Sequence, residues 1–387
     1  MDRTEFPRAS RRPRRTATVL VNVVSTLVVM ALSQMPTSTS GASASSDMNP
    51  ILLVRAGLSD VDYVLWSTPC NASTCYRLER LSDGGQIGHF VTAPPITSVS
   101  GSSGNLNELV FANTQDGYAV DSSSRGSQLY ATLNGGVSWR KAQIRPDQVI
   151  DWMAWTSTNF YAVTSKTCAP SQKACNSFAL DRSAAASIVW SAMPVPIGPT
   201  HATQPPEVTA FGSDVWLTGQ QQEEPGKALL ASSRLYGQGF NVTSVPQLMS
   251  VNGCALEAMS TTDLWAQCDE GMMAGTVPYS DDGGAHWIVK ENGLLGQFHF
   301  GVFDPVSDAV AFFVGSRNMN VLYQVTNGAA TIKVVGRSPD PATPGLSALA
   351  FTNFNQGLAL SGVLGNSQRR YLYRTENGGR NWTRVLG

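Results

Sequence analysis

Six residues, Asn107, Asp151, Glu207, Ala255, His299 and Ser347, follow one another at intervals of 44, 56, 48, 44 and 48 residues. Each stands four positions before the large member of a recurring apolar dyad, and most are polar where the dyads are not. Glu108 and Glu257 lie beside them. Brought around one axis, such residues suit two kinds of chemistry. Two facing carboxylates can act as acid and base, or acid and nucleophile, in glycoside hydrolysis. Carboxylates and an imidazole at a water-filled opening instead attract cationic or hydroxyl-rich groups. Asp151, Glu207, His299, Glu108 and Glu257 are read here as a binding set, and no catalytic residue is assigned. The chain has no GxSxG nucleophile motif and no phosphate-binding glycine loop. His89, His201, His286 and His299 are scattered and no cysteines have CxxC spacing, so neither a metal nor a cofactor is expected.

The elements that position this set are repeats. The dyads read Gly57-Leu58, Val110-Phe111, Ala154-Trp155, Ala210-Phe211, Ala258-Met259, Val302-Phe303 and Ala350-Phe351. Several are followed by a turn rich in Gly, Asn or Asp, and each by a second apolar run, opening on Tyr63, Tyr118, Tyr161, Trp216, Trp265, Val310 and Leu358. Strand, tight turn and strand at this period mark stacked supersecondary units. The closing residues Phe90, Trp139, Trp190, Phe240, Trp287, Ile332 and Trp382 recur every 49 residues or so, room for four short strands. The expected fold is all-β, a seven-bladed β-propeller over residues 45–387, closed either by packing of the last blade on the first or by Ile51 to Leu53 completing a shared blade.

Three units end in Thr132-Leu133-Asn134-Gly135-Gly136 running to Trp139, Ser280-Asp281-Asp282-Gly283-Gly284 running to Trp287, and Thr375-Glu376-Asn377-Gly378-Gly379 running to Trp382. These resemble the Asp box, SxDxGxxW, of the BNR repeat family. The residues themselves predict a fastener. Asx before Gly tolerates a tight reversal, the hydroxyl and Asx oxygens can accept loop amides, and the Trp can fold back as an apolar plug. The resemblance extends to sialidases, to photosystem II assembly factors and to sortilin-type receptors. Among sialidases it implies an arginine clamp and a Tyr nucleophile, for which Arg55 is the early candidate, Arg317 and Arg369 or Arg370 the later ones, and Tyr371 lies near; Ile144-Arg145-Pro146 is out of register. The early motif, Val54-Arg55-Ala56-Gly57, departs from that family's XRXP in having Gly for Pro.

Charged residues make up 14% and the formal net charge is −1, with no basic run inside the repeats, which excludes nucleic acid as the expected partner. Residues 1–44 read as a targeting segment. Arg8, Arg11, Arg12, Arg14 and Arg15 precede an apolar stretch from Ala17 to Leu32, and Ala42-Ser43-Ala44 is a plausible cleavage site. The alternatives are a cleaved signal peptide and an uncleaved membrane anchor through 17–32; both place the repeats outside the cytoplasm. The six cysteines fall as local pairs, Cys70 with Cys75, Cys168 with Cys175 and Cys254 with Cys268, in keeping with an oxidising compartment. The preponderance of Arg over Lys hints at a bacterial source. The expected function is therefore non-catalytic binding or scaffolding of a protein or glycan partner, on the rim where the innermost strands begin; the alternative is a sialidase-like glycoside hydrolase.

Overall fold

A computed structural model describes residues 48–385 except 58, 71–72, 98–108, 124–125, 146–147, 167–177, 196–204, 221–227, 247, 249–253, 272–273, 290–301, 315–320, 327, 340–344 and 363–368. Glu108, His299, Arg317, the Cys168 and Cys175 pair, and the whole of 1–44 lie outside the described residues. Among the described residues there is no helix long and apolar enough to cross a membrane.

The chain forms seven antiparallel four-stranded sheets in sequence order, each running from an innermost to an outermost strand. The innermost strands are Asn49–Arg55, Leu109–Phe111, Gln148–Trp155, Glu207–Phe211, Cys254–Ala258, Phe303–Pro305 and Leu346–Phe351. Blade five is the irregular one. Its third strand is broken around Val277-Pro278 into Ala274–Thr276 and Tyr279–Ser280, both paired to the second strand, and its outer edge is a single bridge from Tyr279 to Ile288. Proline lacks the N–H a ladder needs, which accounts for the break.

The core is a ring of seven apolar clusters, one between each pair of neighbouring blades. One residue of each second strand sets the level of that packing: Tyr63, Tyr118, Tyr161, Trp216, Trp265, Phe312 and Leu358, all essentially buried. Most reach toward the next blade. Tyr63 stacks on Phe111 at 3.7 Å and Phe312 on Phe351 at 3.9 Å, while Tyr118 meets Phe160 edge-on at 4.6 Å. A polar tip on a buried ring is stabilised by a partner, and at four of these residues the next blade provides it, whereas the Tyr161 hydroxyl is buried without one. Tyr63 Oη donates to Thr114 O, Tyr118 Oη to Ser187 O, Trp216 Nε1 to Gly283 O and Trp265 Nε1 to Ser307 O, at 2.6 to 3.2 Å.

These residues also correct the register of the dyads. They pair with Val54, Val110, Ala154, Thr209, Glu257, Asp304 and Ala350. The predicted dyads match this level in blades two, three and seven only. They slip by one residue in blades four and five, two in blade six and three in blade one, where Gly57 already lies in the turn at φ 55°. In blade six the level residue is Phe312, not Val310.

The three Gly-Gly turns share one geometry. Thr132, Ser280 and Thr375 accept the N–H of Gly136, Gly284 and Gly379 at 2.8 to 2.9 Å. Asn134, Asp282 and Asn377 accept the N–H four residues on, from Ser138, His286 and Asn381, at 2.9 Å. Each turn leans on the hairpin joining the two inner strands of its own blade: Gly135, Gly283 and Gly378 donate to Gln115 O, Thr262 O and Asn355 O at 2.8 Å. The Gly-Gly turns and these hairpins therefore lie on one rim. Trp287 is buried, whereas Trp139 and Trp382 are half-buried and meet Phe111 and Phe351 edge-on at 6.2 Å. Phe90 is not a plug. It is exposed, with the Arg77 guanidinium 4.4 Å above its ring.

Two of the three cysteine pairs are seen as disulfides, Cys70–Cys75 between the middle strands of blade one and Cys254–Cys268 across the two inner strands of blade five.

Ring closure is by packing. Blade seven holds its own outermost strand, Thr383–Arg384, and among the described residues no strand is shared with blade one. Met48, Leu53, Val64, Trp66 and Leu81 of the first blade pack on Ala348, Ala350, Leu358, Leu360 and Leu372 of the last. Arg370 ties the seam. Buried among these blades, it receives the Asn49 Oδ1 acceptor at its own N–H (2.8 Å), and its guanidinium donates to Ile51 O (2.7 Å) and to Ser347 Oγ. Burial pulls its pKa down to about 10.

Candidate functional site

The level position described above is where the first strand of one blade meets the next blade. In blade four it is Thr209, whose Oγ1 accepts the N–H of Ala258 in blade five at 3.2 Å. In blade six it is Asp304, whose Oδ2 accepts the N–H of Phe351 in blade seven at 2.5 Å. In blade five it is Glu257. The corresponding donor in blade six is Pro305, one residue after Asp304, and proline has no N–H to give. Glu257 thus lacks the backbone donor that serves its counterparts, and its side chain is exposed rather than docked on the neighbour.

Glu207 stands two residues before the level position in blade four, on the same face of its strand as Thr209. Burial, and then the charge of Glu257, push its pKa up to about 8. Burial, and then the charge of Asp304, push Glu257 up to about 7. Glu257 keeps contact with water while protein surrounds it, so its carboxylate is poorly solvated without being covered. Asp304 is also raised, chiefly by burial, with Arg55 and the Phe351 N–H working against it. Arg55 stands 3.9 Å from Asp304 and 3.7 Å from the buried Asp62 of its own blade. Even so, burial leaves Asp62 at about 7.

The structure therefore joins Glu207, Glu257, Asp304, Arg55 and Asp62 into one electrostatic chain along the inner wall of blades four, five, six and one. Of the four carboxyl groups only Asp62 and Asp304 have this arginine beside them. This set cannot be fully ionised without uncompensated charge in a poorly hydrated place, which is why the acids hold protons near neutral pH. Asp151 is separate. It occupies a bulge in the innermost strand of blade three, a feature that re-aims a side chain, and accepts from Ser165 Oγ at 3.2 Å. Burial raises it to about 6. The bulges at Ile51 and Ser347 lie at the same level of blades one and seven, and Arg370 bonds to both residues.

Of the sequence-derived binding set, Glu207 and Glu257 come together and Asp151 stands apart. Glu257 lies at the hairpin end of its strand, deeper than Glu207. Asp304 and Asp62 escaped the sequence reading: Asp304 because the dyad in blade six is misregistered by two residues, Asp62 because it begins a second strand. No group of three or more His, Cys, Asp or Glu among the described residues is arranged to hold a metal ion.

Three described arginines of the clamp reading, Arg55, Arg145 and Arg370, are engaged at separate places. Arg55 faces Asp62 and Asp304, Arg145 donates to Asp181 at 2.8 Å, and Arg370 is spent on the seam between blades seven and one. The Tyr371 ring is covered by the Arg384 guanidinium at 3.9 Å.

No family model and no curated protein matches the chain. Solved structures do. The β-propeller domain of the trilobed protease from Pyrococcus furiosus, described as having an open velcro topology, is similar over 88% of this chain and 95% of that one, with 7% identity and a TM-score of 0.57. A GH74 enzyme from Niastella koreensis is similar over 88% of this chain and 59% of its own, with 13% identity and a TM-score of 0.50. YCF48 bound to D1 peptide covers 72% of this chain and 80% of its own, with 13% identity and a TM-score of 0.49. At such identities the likeness is one of fold, and the chain is a seven-bladed β-propeller.

Proposed function

We propose that this propeller is a non-catalytic binding or scaffold protein acting outside the cytoplasm, and that it takes a cationic or hydroxyl-rich group of a protein or glycan partner into its acid-lined channel. The observation that carries this reading is the carboxylate of Glu257, set where its counterparts accept a backbone N–H but opposite Pro305. A carboxylate short of donors, beside Glu207, is a ready acceptor for an ammonium or guanidinium group. The partner docks on the rim where the innermost strands begin, passes Asp151, and meets Glu207 before Glu257. The dispersal of the arginines favours binding over a sialidase-like hydrolase, and the bonding of the three Gly-Gly turns supports their reading as Asp boxes. Two short-range disulfides support an oxidising compartment, with 1–44 as signal or anchor.

The test is binding of a fluorescein-labelled oligolysine peptide and turnover of a panel of fluorogenic glycosides, both measured on the chain and on Glu207→Gln combined with Glu257→Gln. Oligolysine binding that strengthens from pH 6 to 9 and falls at least tenfold in the double variant supports the proposal. Glycoside turnover abolished by the same two changes would replace it with the hydrolase reading.

A further inference from the structure

Outside the channel, a groove of about 580 Å³ separates the outermost strand of blade six, Thr331–Arg337, from the Gly-Gly turn of blade seven. Its walls are the backbone from Val334 to Pro339 on one side and Arg380, Asn381 and Trp382 on the other. Its floor is a backbone contact. A Cβ on Gly336 would lie 1.8 Å from Gly379 O, so only glycine lets the strand meet the turn there.

Two of the residues lining this groove carry a buried polar atom with no hydrogen-bond partner, the indole Nε1 of Trp382 and the hydroxyl of Ser338. The equivalent indole in blade two shows what is missing. Trp139 Nε1 donates at 2.8 Å to Thr92 O, just past the end of the first blade's outermost strand, Ile87–Val91. In blade six the corresponding strand runs on through Arg337, which stays paired to Val321, and no carbonyl reaches Trp382. In blade five Trp287 Nε1 turns to Gly284 O of its own turn, at 3.0 Å. The blade-seven indole alone of these three is left without an acceptor.

An unmet N–H and an unmet hydroxyl beside two cations, Arg337 and Arg380, with no acid among the lining residues, ask for an anionic oxygen acceptor. The strand forming one wall is the outermost of its sheet and, among the described residues, pairs only with Val321–Thr326 on its inner side. Such an edge accepts an extended chain by main-chain hydrogen bonds. We infer that this groove is a second binding site, which takes an extended peptide segment along Thr331–Arg337 and seats a glutamate or aspartate carboxylate on Trp382 Nε1, Ser338 and Arg380. Its charge preference is opposite to that of the channel, so the two sites take different parts of a partner or different partners.

The probe is a fluorescein-labelled octapeptide of alternating valine and threonine ending in two glutamates, titrated into the full chain. Trp382→Phe keeps the apolar plug and removes the N–H; Arg380→Ala removes the cation. A tenfold or greater loss of affinity in each variant at unchanged melting temperature, no such loss in the Glu207→Gln, Glu257→Gln double variant, and a peptide-induced shift of the Trp382 indole N–H resonance support the site. Equal binding of the same peptide with glutamines at its end, tighter binding of oligogalacturonate than of peptide, or an indole resonance that ignores the peptide would overturn it.

Discussion

Glu257 is a carboxylate placed by one rule of the fold and stranded by another residue's chemistry. Thr209 and Asp304 show that the level position accepts an N–H from the next blade, and Pro305 removes that donor at one junction. Replacing Pro305→Ala supplies it, and the Glu257 pKa, followed by side-chain carboxyl carbon NMR, should fall from about 7 toward the ordinary range; a value that does not move would show that burial alone sets it. The same groups fix the sign of the pH dependence. Glu207, Glu257 and Asp62 release protons near 4 when unfolded but at about 8, 7 and 7 when folded. Between those values the folded state holds more protons, so stability declines as pH rises from about 5 to 8. Thermal melts should therefore be highest near pH 5. The Glu207→Gln, Glu257→Gln variant should flatten the decline, and a decline of unchanged slope would place its origin elsewhere.

Among the elements, the Gly-Gly turns and the second strands carry the repeat, and they were readable for the same reason. The residues Tyr63, Tyr118, Tyr161, Trp216, Trp265 and Leu358 are buried between blades, where large, mainly apolar side chains fill the space, so the period shows in the sequence. The innermost strands border the channel on one edge. A carboxyl group can stand there in place of a valine by staying protonated or accepting a backbone N–H, so the apolar dyad drifted in four blades and Asp304 passed unnoticed. Pro305 was legible as a residue but not as a missing donor, because that meaning depends on a partner in another blade. The turns also differ in what they fasten. Trp287→Ala, in a buried site, should cost roughly 3 to 5 kcal/mol, and the half-buried Trp139 less, about 2 kcal/mol, by denaturant titration. Equal costs would mean that burial of the ring is not what the turn contributes.

At the scale of the described propeller, seven clusters of similar kind succeed one another around the ring, and among the described residues the seam between blades seven and one differs in being crossed by no chain segment. A ring closed by packing depends on its polar ties more than one closed by a shared strand, because no covalent connection holds the two edges at high effective concentration. Arg370 is that tie. Its charge is held by Ile51 O and Ser347 Oγ with no carboxylate among its hydrogen-bond partners, and its backbone N–H holds Asn49. Arg370→Met would keep much of the apolar stem while stranding the Ile51 carbonyl and the Ser347 hydroxyl. Hydrogen bonds to a charged group and the orphaned acceptors together set the expected loss at about 3 kcal/mol. Local opening should exceed global unfolding at this seam, so hydrogen exchange in the variant should accelerate first in Asn49–Arg55 and Leu346–Phe351, leaving Glu207–Phe211 on the far side of the ring protected. Exchange that rises uniformly around the ring would show instead that the seven interfaces melt as one and that the seam has no special weakness.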